Sequence, residues 1–202
     1  MEDFNCFSDE QLQQLAVSGN SEAEDDLAVR YNRLVRKLAR PLFLAGGDSE
    51  DLMQEGMLGL LSAIRNYDAS KPVLFKTFAD VCIRRRLISA IKSAKSLKHF
   101  PLNSGVSLED AFSEDGTYRA LDLRQTPEEQ VLARERANEF SQKLTNCMSQ
   151  LERKILPYYL QGYSYGSIAE ECGCTEKAVD NAIQRIRRKL SRILTSGDSS
   201  ES

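Results

Sequence analysis

The stretch 163–183 constrains the fold of this 202-residue chain most strongly, because it has the residue pattern of a helix-turn-helix. Ala169 is small where two helices must approach closely, and Gly173, four residues later, suits a tight turn that needs a positive φ. Thr175 can cap the second helix. The buried side of that helix would carry Val179, Ile183 and Ile186. Such a unit holds one helix out where it can enter the major groove of DNA.

The net charge of −3 conceals a segregation of charge along the chain. Residues 1–30 hold eight acidic residues and one basic residue, whereas residues 71–100 hold eight basic residues and one acidic residue. Residues 101–130 hold seven acidic and two basic residues, and residues 174–195 hold six basic and two acidic residues. A single basic run is usually only a solvated face. Two of them on predicted helices, separated by an acidic segment, indicate two contacts with a polyanion.

Several classes of protein are disfavoured by composition. The chain contains no run of eighteen apolar residues and begins without a basic-then-apolar signal, so we expect no membrane contact and a cytoplasmic location. Its five cysteines lack framework spacing, which favours reduced thiols. Cys172 and Cys174 have no second pair, and His99 is the only histidine, so two small residues beside a turn glycine explain them better than a metal site. We expect no catalytic residues, no metal and no cofactor, and therefore no enzyme.

Helical periodicity dominates the first hundred residues and predicts an all-α fold. Four helices are predicted there, over about 8–18, 21–43, 48–67 and 75–96. Capping boxes at Ser8 and Ser21 would start the first two, and Asp48 can cap the third. The predicted buried face of the third helix is Met53, Met57, Leu60, Leu61 and Ile64. That of the fourth is Phe75, Phe78, Ala79, Cys82, Leu87 and Ile91.

Periodicity fades from residue 103 to residue 126, where glycines and acids predict an acidic linker. Helices resume from Pro127 to about Met148 and from Ser149 to Gln161, the latter interrupted by Pro157, before the helix-turn-helix. The chain thus divides into two helical modules joined by a linker. The predicted segments are an acidic N-terminal helix in 1–20, a first module in 21–102, the linker in 103–126, a second module in 127–196 and a frayed tail in 197–202.

Particular residue runs in both modules resemble one protein family. Asp51-Leu-Met-Gln-Glu-Gly56, followed by Phe75-Lys-Thr-Phe-Ala79 and Ile83-Arg84, resembles region 2 of the sigma-70 family of transcription initiation factors, and the helix-turn-helix resembles region 4. His99-Phe-Pro-Leu-Asn-Ser104 and Val106-Ser-Leu108 make the chain similar to the short sporulation and stationary-phase sigma-H type. The resemblance implies an alternative sigma factor that binds RNA polymerase core and directs it to the −10 and −35 elements of promoters.

The resemblance implies that the third helix docks on the β′ clamp helices of the polymerase core. The residues that match this role are Asp51, Gln54, Glu55 and Gly56. They lie off the predicted apolar face, and Gly56 would let a partner backbone approach closely.

The fourth helix would open the promoter and read the −10 element. Its matching residues are Phe75, Phe78, Arg84, Arg85, Arg86, Lys92 and Lys95. Val81 and Cys82 depart from the family, because they stand where housekeeping members carry a tryptophan pair. We therefore expect the loop around residues 70–74 to catch a flipped base.

The recognition helix of region 4 would read the −35 element. Its matching residues are Thr175, Glu176, Lys177, Asn181, Gln184, Arg185 and Arg188. Asn181 can pair with adenine, Lys177 with guanine or phosphate, and Glu176 with cytosine. The arginines would contact phosphate or the β flap of the polymerase.

The implied partners are RNA polymerase core and promoter DNA, and an anti-sigma factor that covers either face is left open. The alternative function is that of a stand-alone helix-turn-helix regulator whose N-terminal module senses a ligand or dimerises. That reading would need a pocket or an apolar seam on the 51–67 helix, where the sequence shows a polar outer face.

Overall fold

The computed structural model describes residues 4–44, 49–97 and 139–197. Its elements are a 3-10 turn (Phe4–Cys6) and the helices α1 (Asp9–Val17), α2 (Ser21–Leu44), α3 (Ser49–Asn66), α4 (Phe75–Leu97), α5 (139–147), α6 (Gln150–Leu160), α7 (Tyr165–Cys172) and α8 (Glu176–Gly197). These ranges contain no strand, which agrees with the all-α prediction, and none of their helices is long and apolar enough to cross a membrane. The predicted linker, most of the helix predicted from Pro127, and the Asp48 cap lie outside the described residues.

The described residues form two compact units. The first unit is built from α1 to α4 together with Tyr158–Ser164, and the second from α5, the first part of α6, α7 and α8.

Three predicted caps fall on described residues, of which those of α1 and α8 are confirmed and that of α2 is wrong. Ser8 and Gln11 form the predicted capping box at the start of α1. At α2 the cap is Asn20, whose Oδ1 accepts a hydrogen bond from the Ala23 N–H at 3.1 Å. The prediction that Ser21 caps this helix was wrong by one residue, because asparagine and serine are about equally good caps and the pattern alone does not rank them.

The core of the first unit depends on a very close approach of α3 to its neighbours at Gly56 and Gly59. A Cβ on Gly59 would lie 2.8 Å from the Ile83 Cα and 3.2 Å from the Cys82 carbonyl oxygen of α4. A Cβ on Gly56 would lie 2.6 Å from the Val35 Cγ1 of α2. The two glycines therefore belong to the buried side of α3. That side consists of Leu52, Gly56, Gly59, Leu60, Ala63 and Ile64.

This finding corrects the predicted buried faces of α3 and α4. Met53, Met57 and Leu61 are only half-buried, because the side of α3 that faces the core is the glycine side. On α4, Phe75, Ala79 and Leu87 are buried as predicted, but the fourth fully buried side chain is that of Ile83. The remaining predicted members, Phe78, Cys82 and Ile91, are half-buried.

The helix-turn-helix of the second unit has the predicted geometry. Gly173 has a φ of +65°, and the Thr175 Oγ1 accepts a hydrogen bond from the Ala178 N–H at 3.2 Å. The predicted contact side of α8 is fully buried, and Ala169 of α7 is 7% exposed. The buried residues of α8 are Val179, Ala182, Ile183, Ile186 and Leu190.

A buried carboxylate fixes α8 to the start of α6. Glu152 is 1% exposed, and its oxygens accept hydrogen bonds from the Ser149 N–H at 2.8 Å, the Arg185 Nε at 3.2 Å and the Lys189 Nζ at 2.6 Å. The Lys189 Nζ also donates to the Cys147 carbonyl oxygen at 2.8 Å. Burial opposes ionisation of Glu152, but the bonds from Lys189, Ser149 and Arg185 outweigh it and lower the pKa of this carboxyl.

Pro157 does not interrupt α6, which runs without a break from Gln150 to Leu160. The predicted interruption is therefore wrong. Proline costs the helix one backbone hydrogen bond, that to the Arg153 carbonyl group, and both Arg153 and Pro157 lie on the exposed side of α6.

We expect Gly59→Ala to lower the free energy of unfolding by about 1–3 kcal/mol, although alanine is the better helix former by about 1 kcal/mol. The reason is that the new methyl group would meet the backbone of α4, which cannot move aside as a side chain can. Urea unfolding followed by circular dichroism measures the change. Gly56→Ala should also be destabilising, because its methyl group would meet the Cγ1 of the fully buried Val35 at 2.6 Å. An unchanged or raised midpoint for Gly59→Ala would contradict the close approach.

We expect Glu152→Gln to destabilise the second unit by about 1–3 kcal/mol at pH 7, because two cations and a backbone N–H lose their carboxylate. The folded-state pKa of Glu152 is lowered, so its contribution is fully present above the unfolded-state pKa of about 4.3 and is lost as the pH falls through the folded value. The difference between the two proteins should therefore shrink below about pH 4. Glu170→Gln, at an exposed residue of α7, is the control and should change stability by less than about 0.5 kcal/mol. A difference that does not depend on pH would count against the ion-pair account.

Candidate nucleic-acid interface

One side of α8 carries a stripe of polar and basic side chains that face solvent. Lys177, Asn181 and Arg188 are exposed and Gln184 is half-buried. Their spacing of four, three and four residues places them on one face of the helix, away from its buried side. Glu176 is exposed in the first turn. Long donors and an amide on a protruding helix are the groups that bind base edges and phosphates in a major groove.

Two of the predicted −35 residues have structural roles in the second unit, and the sequence analysis predicted only one of them, the cap at Thr175. The Thr175 hydroxyl caps α8, and the Arg185 Nε donates to Glu152. Arg185 and Lys189 lie one turn apart on the side of α8 that faces α6. Arg185 is nevertheless exposed and lies four residues from Asn181 and three from Arg188, so it borders the stripe.

The prediction that Phe75 contacts DNA is wrong. Its ring is fully buried between Tyr31 and Tyr67, with edge-to-face contacts at centroid distances of 5.3 and 5.4 Å. It cannot stack on a base while the first unit remains folded. Phe78 is half-buried and packs against Tyr67 at 5.7 Å, so part of its ring is accessible.

The three consecutive arginines of α4 have different surroundings. The Arg84 Nε donates to Asp80 at 2.7 Å, and Arg86 forms an ion pair with Glu55 of α3. Arg85 is exposed and makes no ion pair among the described residues. It shares one face of α4 with three other exposed residues. These are Val81, Ile88 and Lys92. The side chain of Lys95 lies outside the described residues.

The connection between α3 and α4, here called the 67–74 loop, combines a fixed backbone with exposed side chains. The Tyr67 hydroxyl donates to the Val73 carbonyl oxygen at 2.7 Å. Asp68 accepts hydrogen bonds from the Ser70 N–H and hydroxyl at 3.0 and 2.6 Å, and these bonds lower the pKa of its carboxyl. Val73 and Leu74 are 43% and 68% exposed. An apolar side chain held in this way offers a surface on which an unstacked base can lie.

The outer face of α3 differs in part from the predicted docking surface. Asp51 and Gln54 are exposed as expected, but Glu55 is engaged by Arg86. Gly56 is buried, so the backbone approach that it permits is within the first unit and not to a partner. Leu58 is 47% exposed on the same face as Asp51 and Gln54, and sequence reasoning missed it. Its position seven residues after Asp51 could have revealed it.

The thiols have no ligand geometry around them. All five cysteines are free, and burial raises the pKa of Cys82 and of Cys172. Within the described part of the chain, no group of three or more histidine, cysteine or acidic residues is placed to hold a metal ion.

Known protein families match both parts of the chain. The family description "Sigma-70 region 2" matches residues 27–97, and "Sigma-70, region 4" matches residues 142–190. The RNA polymerase sigma-H factor of Bacillus licheniformis is 42% identical over 96% of this chain and 89% of its own length. That of Bacillus subtilis (strain 168) is 41% identical over 96% and 91%. A crystal structure of the sigma-H factor from Fusobacterium nucleatum is 34% identical and covers 75% of this chain and 99% of its own, with a TM-score of 0.34.

The match over residues 27–97 also decides between the two functions that the sequence left open, since a stand-alone helix-turn-helix regulator has no need of region 2. With both regions matched and about 40% identity along nearly its whole length, the chain belongs to the sigma-70 family of RNA polymerase sigma factors, the non-enzymatic subunits that direct promoter-specific transcription initiation.

Proposed function

We propose that this chain is an alternative sigma factor of the sigma-H type, which docks on the polymerase core through α3, opens and reads the −10 element through α4 and the 67–74 loop, and reads the −35 element through α8. The observation that carries the proposal is the exposure of three separate surfaces of the expected chemistry, one on each of these elements.

The α3 surface is amphipathic in a way that suits a protein partner. Asp51, Gln54 and Leu58 share one face, and Leu58 adds an apolar contact to the two polar ones. We assign this face to the β′ clamp helices. Glu55 contributes by holding Arg86, and Gly56 by letting α3 pack on α2.

The α4 surface and the 67–74 loop suit single-stranded DNA. Arg85 and Lys92 would hold the backbone, while Val81 and Ile88 between them offer apolar area to a base. Leu74 and the accessible part of Phe78 would meet a flipped base in place of the tryptophan pair. Arg84 and Arg86 take a smaller part, because each already holds a carboxylate.

The α8 surface suits duplex DNA. Asn181 would read adenine, Lys177 guanine or phosphate, and Glu176 cytosine, while Arg188 would hold the phosphate backbone. Arg185 and Lys189 position the helix through Glu152, and the stripe makes the contacts to bases.

The proposals on which promoters this chain serves and how it is regulated rest only on its resemblance to sigma-H factors. Since the Bacillus relatives are sigma-H factors, we assign this chain to stationary-phase or sporulation promoters, with cytoplasmic polymerase as its partner. An anti-sigma factor could act by covering either the α3 face or the α8 stripe.

We expect the double variant Gln54→Ala, Leu58→Ala to bind sigma-free RNA polymerase core at least about tenfold more weakly, because it removes the polar and the apolar contact of one face. Fluorescence titration of labelled full-length protein with core measures the affinity.

The matched control is Gln14→Ala, Val29→Ala, which removes one exposed glutamine and one exposed valine from α1 and α2. It should bind core as the wild type does. Equal affinities for the two double variants would exclude the α3 face as the docking surface.

We expect Asn181→Ala to lower the affinity of the holoenzyme for its −35 element by about 1–3 kcal/mol and to relax the preference at one base pair. Arg188→Ala should weaken binding to all sequences alike, because a phosphate contact carries no base information. Competition binding with every single-base change in the element distinguishes the two. A base preference that is intact in Asn181→Ala would contradict its assigned role.

A further inference from the structure

Helix α1 is bound to both ends of the 67–74 loop. Gln13 is 4% exposed, and its Nε2 donates to the Ile64 carbonyl oxygen at 2.7 Å and to the Tyr67 carbonyl oxygen at 3.5 Å. The Glu10 Oε1 accepts a hydrogen bond from the Phe75 N–H at 3.1 Å. The last carbonyls of α3 and the first N–H of α4 have no partner within their own helices. Two side chains of α1 therefore fix the points at which the loop begins and ends.

Helix α1 is itself held firmly enough to act as a support. Asp9 accepts hydrogen bonds from the Tyr31 hydroxyl at 2.6 Å and from Arg30 at 3.2 Å, and Leu12 is fully buried. Arg30 also donates to the carbonyl oxygens of Phe4 and Phe7 at 2.6 and 3.0 Å. Side-chain hydrogen bonds therefore connect α2 to α1, and α1 to both ends of the 67–74 loop.

We propose that Glu10 and Gln13 are positioning residues for base capture: they hold the 67–74 loop in the one arrangement in which Val73 and Leu74 meet an unstacked base of the promoter. This inference rests on the function proposed above for the loop. Neither residue contacts DNA, since Gln13 is buried and the Glu10 carboxylate would repel a phosphate. A loop that is fixed beforehand loses less conformational freedom when a base binds, so the benefit appears only when that base is present.

The test compares holoenzymes on a pre-melted promoter that carries a single abasic site at successive positions of the non-template strand. With wild-type protein, the captured position should show an affinity loss of about tenfold when its base is removed. Glu10→Leu and Gln13→Met remove the loop contacts. They should bind the intact strand about five- to tenfold more weakly and show little further loss at that position. Glu10→Gln keeps an acceptor oxygen and should restore the wild-type profile.

Gln14→Leu, at an exposed residue of the same helix, is the control and should behave as the wild type. Core affinity and urea unfolding are measured for each variant, to separate loop positioning from a loss of fold. If Glu10→Leu and Gln13→Met weaken binding equally on intact and abasic strands, the two residues are merely structural and the inference is overturned.

The loop variant Leu74→Ser separates this inference from the function on which it rests. If no abasic-sensitive position responds to Leu74→Ser, base capture by the loop is wrong and the inference fails with it. If one position responds to Leu74→Ser but not to the α1 variants, the loop captures the base without their help and only the inference fails.

Discussion

The contact of α3 with α4 at Gly59 determines how these two helices of the first unit pack. Without a side chain at this residue, the α3 backbone lies against Ile83 and Cys82 of α4, closer than any other residue type would allow. The short distance brings Glu55 within reach of Arg86. It also sets which face of α3 remains outside, and with it the exposure of Asp51, Gln54 and Leu58. Packing inside the first unit therefore determines which side chains of α3 are available to a partner protein.

In the second unit, ion pairs and hydrogen bonds to Glu152 fix the orientation of α8. Burying the Glu152 carboxylate would be costly on its own, at several kcal/mol for an unpaired ion, but two cations and a backbone N–H compensate for it. The apolar contacts of α8 with α7 set the distance between these helices, whereas the directional bonds of Glu152 fix how α8 is rotated about its axis. This rotation decides which stripe of α8 faces solvent.

Among the described residues, the sequence correctly predicted the helices, the caps at Ser8 and Thr175 and the helix-turn-helix, since these follow from local spacing. It failed where a contact joins residues far apart in the chain. Gly56 and Gly59 carry no hydrophobic signal, so periodicity assigned the core to the methionine side of α3. The family resemblance assigned Phe75 to DNA, although helical periodicity also placed it on the buried face of α4, where the structure has it. Nor could spacing show that Arg86 and Arg185 would find carboxylates 31 and 33 residues away.

The ion pairs of α4 also change how this helix competes with dissolved cations for a DNA strand. A phosphate contact gains affinity mainly by releasing condensed counterions into solution, and each neutralised phosphate adds about 0.7 to the slope of log K against log salt for a single strand. Arg84 and Arg86 already have carboxylate partners in Asp80 and Glu55. An arginine that must leave a carboxylate to reach a phosphate exchanges one anion for another. In the −10 role proposed for α4, its basic character therefore overstates the salt dependence of binding, and recognition would depend more on its shape and apolar surface than its composition suggests.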